Sequence, residues 1–377
     1  MAVDLKCPYI QENIEDPKIL DYAARLIQYL HKPEAAHYVR MNPAVVGPTW
    51  PEFLFIAGLP HLKKAVRRQL DTPSPHPALR PLEGPEGAKQ LRKALSFEKH
   101  RYSGYTAAGV VGWADIIRYW WAPLEDSLCL FAEQAGGFFM PLPPLGRSPD
   151  SKLADQVWAM LMELNGGNEV SRIEGIEAEQ KEAWVGFGFH LEAGEPEYLY
   201  SRVDIAGLRG DRYRTQRGMI NRCLRNAEAW SFRPFRKADL VACLQLYTKW
   251  GLYRQQEVPE PFFRALVRDG LFFHRRLMME GDLLGVTGRV LEKGGRIAGY
   301  TFGAEVSADT FCVFLEIADP AVDGVSQLMF REFCREMNSY PFINAMGDSG
   351  LSGLRQAKES YHPRELVTPW IARKKKG

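Results

Sequence analysis

The sequence predicts an α/β (α+β) fold in which helices alternate with strands of mixed sheets. The clearest observation is the segment from Thr310 to Pro363, which reads as strand, glycine-bearing turn, helix, strand and helix, closed by a proline. Residues 171–200 repeat the strand, helix, strand order. The length of 377 residues exceeds one typical core and favours two domains.

The chain divides into three parts on these grounds. Residues 1–90 form a helical extension and a linker, 91–205 a first domain, and 206–377 a second domain that carries the expected site. Within the extension, Asp16 to Leu30 has an apolar stripe at helical spacing, and Asp71 to Gly87 is rich in proline.

Composition limits the function classes. With 46% hydrophobic and 25% charged residues the chain is typical of a globular protein, and its net charge of +2 does not by itself indicate nucleic-acid binding. No apolar run reaches membrane-spanning length and the first residues, Met-Ala-Val-Asp-Leu-Lys, lack the apolar segment of a signal peptide, so we expect a cytoplasmic protein. The six cysteines are scattered singly, which predicts buried thiols and no metal site.

In the first domain, Trp113, Ile116, Ile117, Trp120 and Trp121 lie at helical spacing and predict an aromatic helix face directed at a core. Strands are expected at Leu128–Phe131 and Phe138–Leu142, and a helix at Ser151–Leu164. In the second domain, Leu271–His274 and Arg296–Phe302 are expected to be strands.

A basic segment separates the two domains. On a helix, Arg214, Arg217, Asn221 and Arg225 share one face, with apolar residues opposite. A solvated helix face is one interpretation. Because guanidinium forks suit phosphates, a phosphate or tRNA site is the other.

The strand Thr310 to Asp319 contains one carboxylate, Glu316. An ionised group in a buried strand needs a partner, so Glu316 either belongs to an internal ion pair or holds part of a ligand. The turn that follows places Gly324 and Ser326 at a helix start, where backbone N–H groups favour an anion.

More polar groups follow the second strand, Pro341 to Met346, which contains Asn344. Asp348 precedes a helix predicted from Ser352 to Tyr361, on which Arg355 and Lys358 lie one turn apart. Lys358, Tyr361 and His362 share a side of it, and Pro363 ends it. Such residues at the ends of neighbouring elements predict a site in an open α/β sheet.

These residues carry a family resemblance. The strings DTFCVFLEIADP, FREF, INAMGDSGLSGLRQAKESYHP and YLYSRVDIAGLRGDRYRTQRGMINR are similar to the family of the C-terminal domain of phosphatidylglycerol lysyltransferase, over roughly residues 97 to 370. The element order also resembles the GNAT (Gcn5-related N-acyltransferase) fold. The resemblance implies two GNAT-like domains in tandem, related to transferases that use aminoacyl-tRNA. It does not extend to a membrane-embedded half, so a lipid acceptor is not expected.

The resemblance also implies roles for single residues. Tyr361 matches the position of the GNAT general acid, with His362 suited to proton transfer and Lys358 to charge stabilisation. Glu316, Asp348, Asn344 and Arg355 are expected to bind substrate. In GNAT folds two central strands diverge around the acyl donor, which here predicts a fork between Arg296–Phe302 and Thr310–Asp319.

Three functions remain open from the sequence. The first is transfer of an amino acid from aminoacyl-tRNA, without a further cofactor, to a soluble amine or hydroxyl acceptor. The second is acyl-coenzyme A-dependent N-acyl transfer, which the altered phosphate turn Ala321–Ser326 disfavours. The third is a non-catalytic GNAT-like binding protein.

Overall fold

The computed structural model describes residues 74–82, 84–95, 99–134, 137–167, 170–225, 230–257 and 261–374. The predicted amphipathic helix at 16–30 and nearly all of the predicted extension lie outside these residues. Among the residues that are described, no helix is both long and apolar enough to cross a bilayer.

The first half contains seven strands and four helices within the described residues. The strands are β1 (Arg80–Pro81), β2 (Arg118–Leu124), β3 (Ser127–Gln134), β4 (Gly137–Phe139), β5 (Ile173–Ile176), β6 (His190–Ala193) and β7 (Glu197–Ser201). The helices are α1 (Gly84–Leu95), α2 (Ala107–Val111), α3 (Ser151–Leu164) and α4 (Lys181–Gly186).

The second half continues with helices α5 (Arg202–Gly207), α6 (Arg214–Leu224), α7 (Leu240–Glu257), α8 (Pro261–Leu284), α9 (Val325–Glu336) and α10 (Ser352–Glu359). Its strands are β8 (Trp230–Pro234), β9 (Val286–Lys293), β10 (Arg296–Ser307), β11 (Thr310–Ala318), β12 (Phe342–Asn344), β13 (Glu365–Val367) and β14 (Trp370–Arg373).

The two halves exchange strands across the predicted boundary after residue 205. The seven-stranded sheet has the order β13-β7-β12-β11-β10-β9-β8, so β7 of the first half lies between two strands of the second. Conversely, β14 at the C-terminal end lies between β5 and β6 of the first half. Each half therefore completes a sheet of the other, and the connection is made by backbone hydrogen bonds.

The apolar cores follow this exchange. One core joins Leu91 and Leu130 of the first half to Leu277 and Phe302 of the second. Another is built around Val157 on α3 and includes Ala372 of β14, which is fully buried. Burial of these side chains therefore stabilises the two halves together.

Two local predictions were wrong. The aromatic run expected to form one helix, Trp113 to Trp121, is a turn followed by strand β2, on which Trp120 and Trp121 lie next to each other in the ladder with β3. Adjacent strand residues face opposite sides, and Trp120 is buried on one side while Trp121 packs on the other core. Leu271–His274, expected to be a strand, lies inside α8, because the helical pattern on both sides continues through it.

Removing β14 is expected to destabilise both halves. A chain that ends at Pro369 loses the ladders to β5 and β6 and the buried Ala372. A loss of about 4 kcal/mol would lower the melting temperature by roughly 10 °C. A chain that ends at Lys374 keeps β14 and serves as the control in thermal denaturation. Equal melting temperatures for the two chains would show that the exchange does not couple the halves.

Candidate functional site

A cavity of about 350 Å³ lies where the exchanged strands meet. Its walls come from both halves: Glu174 and Gly175 on β5, Gly194 to Glu197 at the start of β7, and Met346, Gly347 and Ser349 after β12. Pro369 and Ile371, at the start of β14, close another side. The strand exchange therefore creates the cavity.

The chemistry of the cavity wall is acidic and aromatic. Three glutamates line it, Glu174, Glu195 and Glu197, and we call it the acidic cavity. The aromatic rings of Tyr102, Trp113, Phe273 and Phe314 also line it, and its described wall contains no lysine, arginine or histidine. Carboxylates and aromatic faces both attract cations, so the site is suited to an ammonium group.

Glu197 is the hydrogen-bonded centre of this region and is only 5% exposed. Its Oε2 accepts hydrogen bonds from the Ser103 N–H (2.8 Å) and from Asn344 Nδ2 (2.7 Å), and its Oε1 accepts from the Ser103 hydroxyl. Burial raises the pKa of this carboxyl above its usual range, although the three donors oppose that shift. Glu197 thus links the first half, through Ser103, to the second, through Asn344.

Asn344, a predicted substrate-binding residue, is fully buried, and its hydrogen bonds go to other residues of the interior. Besides Glu197, its Nδ2 donates to the Arg101 carbonyl (2.7 Å), and its Oδ1 accepts from the Met346 N–H (2.7 Å). The side chain therefore fixes the start of the loop that follows β12.

That loop, residues 345–350, forms one wall of the cavity. Met346 and Ser349 have positive φ angles of 64° and 53°, which residues other than glycine adopt at a cost in conformational energy. The ammonium group of Lys358 donates to the carbonyls of Ala345 and Met346, the latter at 3.1 Å. Burial lowers the pKa of Lys358 to about 8. Lys358 itself is outside the set of residues that line the cavity.

Asp348 and Arg355 hold the far end of the same loop. The Asp348 carboxylate accepts from the Tyr198 hydroxyl (2.7 Å), Arg355 Nε (3.0 Å) and the Gly350 N–H (2.9 Å). The hydrogen bond from Arg355 is the main cause that keeps the pKa of Asp348 below its usual range. Both residues are near the cavity in sequence, but neither side chain lines it.

The predicted fork lies one strand away from where the sequence placed it. Strands β10 and β11 stay paired from Gly299 opposite Ala318 to Ser307 opposite Thr310, with two local register shifts and no divergence. Parallel strands β11 and β12 instead pair only from Thr310 to Cys312, after which β12 ends and β11 continues. A short hairpin turn holds β10 against β11, whereas β11 and β12 are joined through α9 and can diverge.

Glu316 lies on the diverging part of β11, but on the face away from the acidic cavity. The register with β10 skips Phe314, so this residue forms a β-bulge, and it lines the cavity beside Phe273 of α8. Glu316 instead accepts a hydrogen bond from Ser326 on α9 (2.5 Å). Burial raises the pKa of Glu316 to about 7.

The predicted phosphate turn is covered by α6. Gly324 has φ of 83° and is buried, and a Cβ at this position would lie 2.3 Å from the Met219 carbonyl oxygen. Ser326 directs its hydroxyl to Glu316 rather than outward. These residues do not fit the pyrophosphate of coenzyme A, because the backbone of α6 occupies the approach to the helix terminus.

Tyr361 and His362 do not line the cavity. The Tyr361 ring packs at right angles on Phe330, with ring centres 5.2 Å apart, and burial raises its pKa well above the usual range. His362 is exposed, and its Nε2 donates to the Arg212 carbonyl at 3.2 Å. Neither residue lies in the wall formed by Glu174, Glu195 and Glu197, although the charge of Glu316, after burial, also raises the pKa of Tyr361.

The arginine stripe on α6 divides into two parts. Arg214, Asn221 and Arg225 are exposed, and we call them the arginine face. Arg217 is instead turned back to the carbonyls of Leu208 (2.5 Å) and Gly210 (2.6 Å), where it fixes the turn that precedes the helix.

The fold is of the mixed α+β class that the sequence predicts. Residues 96–373 match the profile of the phosphatidylglycerol lysyltransferase C-terminal family. The chain belongs to this family.

Solved structures agree with that assignment. A conserved protein of unknown function from Bacteroides thetaiotaomicron is similar with a TM-score of 0.69 and 22% identity, over 78% of this chain and 98% of the other. L-PGS from Bacillus licheniformis is similar with a TM-score of 0.56 and 16% identity, over 78% and 93%. At these identities the likeness shows the fold. None of the curated proteins compared with the chain matches it.

The three glutamates of the acidic cavity were not among the site residues predicted from the sequence. Glu174, Glu195 and Glu197 are separated along the chain from every predicted site residue and meet them only through the exchanged strand β7. Two features of the sequence could have indicated them. Glu174 stands next to a glycine, Gly175, and Glu197 stands at the start of an apolar strand, next to Tyr198. Within the described residues, no cluster of potential metal ligands is present.

Glu316 is expected to make the stability of the protein depend on pH. Its pKa of about 7 exceeds the ordinary 4.5, so the protonated form stabilises the fold below 4.5 and this stabilisation is lost as pH rises through 7. The loss is about 3 kcal/mol at most, and less because water reaches part of the side chain.

Urea denaturation of the protein and of Glu316→Gln at pH 5 and pH 8 measures this. The stability of the original protein relative to Glu316→Gln should fall between the two pH values, whereas Glu182→Gln, at an exposed position, should show no such trend. A pH-independent difference for Glu316→Gln would mean that its carboxyl titrates normally.

Proposed function

We propose that the protein is an acyltransferase that moves an amine-bearing acyl group, with aminoacyl-tRNA as the donor and a soluble amine or hydroxyl as the acceptor. The observation that carries this proposal is the acidic cavity, whose described wall includes three glutamates and four aromatic side chains but no lysine, arginine or histidine. Arg172, outside this wall, donates to Glu174 Oε1 at 2.5 Å, whereas Glu195 accepts from the Ser349 N–H. An aminoacyl group carries at least one ammonium group that this wall would bind.

The number of carboxylates favours a basic amino acid. One ammonium group engages one or two carboxylates. Arg172 occupies Glu174 Oε1, which leaves Glu174 Oε2 and the carboxylates of Glu195 and Glu197 as acceptors for two ammonium groups. An uncharged acetyl group would gain nothing from these charges. A lysyl group, with its α- and ε-ammonium groups, is the acyl group that we assign, in keeping with the family.

The reaction moves the aminoacyl group from the ribose oxygen of tRNA to an oxygen or nitrogen atom of the acceptor. The acceptor oxygen or nitrogen forms a bond to the ester carbonyl carbon, and the bond from that carbon to the tRNA ribose oxygen breaks. The acceptor loses one proton and the ribose oxygen gains one, so the step is balanced. The protein must hold both reactants and stabilise the negative charge that develops on the carbonyl oxygen.

Coenzyme A is not favoured as the donor. The turn at Gly324 that would hold its pyrophosphate packs against Met219 of α6, and Ser326 is engaged with Glu316. The exposed guanidinium groups of the arginine face offer an alternative contact for phosphates, and a tRNA presents phosphates over a larger area than a coenzyme.

A charge-neutral replacement in the cavity is expected to weaken donor binding. Glu195→Gln keeps an oxygen to accept the Ser349 N–H but removes one charge. A charge-assisted hydrogen bond contributes about 1.5–3 kcal/mol, so KM for the donor should rise roughly tenfold to a hundredfold. The measurement is release of labelled amino acid from a mixture of aminoacyl-tRNAs. Glu192→Gln, at an exposed position on β6, is the matched control.

Two outcomes of this assay would contradict the proposal. One is a purified protein that accelerates release from none of the aminoacyl-tRNAs. The other is a preference for an acidic amino acid, since the cavity wall would repel it.

The arginine face is expected to contribute salt-dependent tRNA affinity. Replacing Arg214 and Arg225 by Gln removes two phosphate contacts and should reduce the slope of log Kd against log salt by roughly 1.5. Arg217→Gln should leave that slope unchanged and lower the free energy of unfolding, because Arg217 bonds to Leu208 and Gly210. Filter binding at several salt concentrations measures the slopes. Equal slopes for all three proteins would exclude the arginine face as a phosphate contact.

A further inference from the structure

The proposed transfer requires a donor for the carbonyl oxygen of the ester, and the loop after β12 offers one. Gly347 lines the acidic cavity, and its N–H makes no hydrogen bond with another described residue. The neighbouring N–H groups are engaged: Met346 donates to Asn344 Oδ1 at 2.7 Å and Ser349 donates to Glu195. Gly347 is therefore the member of this wall with an available donor.

The direction of this N–H follows from peptide geometry. A trans peptide bond is planar, so the carbonyl of Met346 and the N–H of Gly347 point to opposite sides. The protein has no cis peptide bonds in its described residues. The Met346 carbonyl accepts from Lys358 Nζ at 3.1 Å and from the Tyr198 N–H at 3.1 Å. Neither Lys358 nor Tyr198 lines the cavity, whereas Gly347 does.

We infer that the Gly347 N–H is the oxyanion donor of the acidic cavity, and that the Lys358 ammonium group is a positioning group that directs and polarises it. This inference rests on the proposed transfer of an aminoacyl group. A cation on the carbonyl side of a peptide strengthens the N–H on the other side as a donor, because hydrogen bonds in a chain polarise one another. Lys358 thereby places positive charge behind the reacting carbonyl in a cavity that is otherwise negative.

The absence of a side chain at residue 347 has a second consequence. A Cβ on residue 347 would lie 2.2 Å from Glu195 Oε1, so any side chain would displace the carboxylate that we assign to the ammonium group. The absence of a side chain brings the donor N–H and the cation site next to each other. That proximity suits an α-amino ester, in which the ammonium group and the carbonyl are separated by one carbon.

The charge state of Lys358 should govern the donor. The charged and titratable groups that act on its ammonium group are Glu195, Glu197, Glu316 and Cys312. The cation is present below the lowered pKa of about 8 and is lost above it. The donor strength of Gly347 should therefore fall as pH rises through 8.

The peptide between Met346 and Gly347 can be observed directly. The chain contains one Met–Gly dipeptide, so labelling methionine carbonyl carbons with ¹³C and glycine nitrogens with ¹⁵N gives a single cross-peak. The probes are cadaverine, which has two ammonium groups, and (1,5-diaminopentyl)phosphonate, which adds a tetrahedral anion that mimics the oxyanion.

We expect both probes to bind and only the phosphonate to shift the Gly347 amide proton downfield. Lys358→Met should weaken phosphonate binding about tenfold and abolish the inflection of the cross-peak near pH 8, while cadaverine should bind at least as tightly, because the cation that opposes it is removed. Lys358→Arg, which stays charged, should retain phosphonate affinity while also losing the inflection. If Lys358→Met does not fold, Lys358→Arg still tests the proposal.

Different failures have different meanings. If cadaverine binds but the phosphonate leaves the cross-peak unmoved, or binds independently of Lys358, the oxyanion assignment is wrong and the cation site stands. If neither probe binds, both the oxyanion assignment and the proposed aminoacyl site are wrong.

Discussion

The structure depends on the reciprocal exchange of β7 and β14. Inserting β7 between β12 and β13 brings Glu197 to Asn344, and inserting β14 between β5 and β6 closes the opposite wall. The cavity lies where residues of the seven-stranded sheet and of the three-stranded sheet come together. Its lining therefore comes from both halves of the chain, and neither half provides it alone.

The carboxylates of the acidic cavity differ in their burial and in the number of their hydrogen-bond donors. Glu197 is surrounded by donors in the interior, whereas Glu174 and Glu195 are more accessible and each contacts one neighbouring donor. Lys358 donates to the Met346 carbonyl and Arg355 donates to Asp348, and neither basic side chain lines the cavity. Positive charge thus supports the wall from behind, while negative charge faces the bound group.

Much of the fold could be predicted from the sequence because its elements have strong local patterns. The helix Ser151–Leu164 and the strand from Thr310 agree with the structure nearly to the residue. The fork was placed between the wrong strands, since pattern reveals a strand but not its partner. For the same reason the site was predicted around Glu316 and Tyr361: residues adjacent in sequence are visible as a group, whereas Glu174 and Glu197 meet Met346 and Asn344 only after strand exchange.

The central claim is that the acidic cavity holds the amino group of the transferred acyl chain. A crystal structure with 3′-lysylamino-3′-deoxyadenosine, an analogue of the donor terminus with a stable amide, tests it most directly. We expect an ammonium nitrogen within hydrogen-bonding distance of Glu195 or Glu174, with the adenosine directed out of the cavity. An analogue bound beside Glu316 on the α9 face, with the cavity empty, would contradict it.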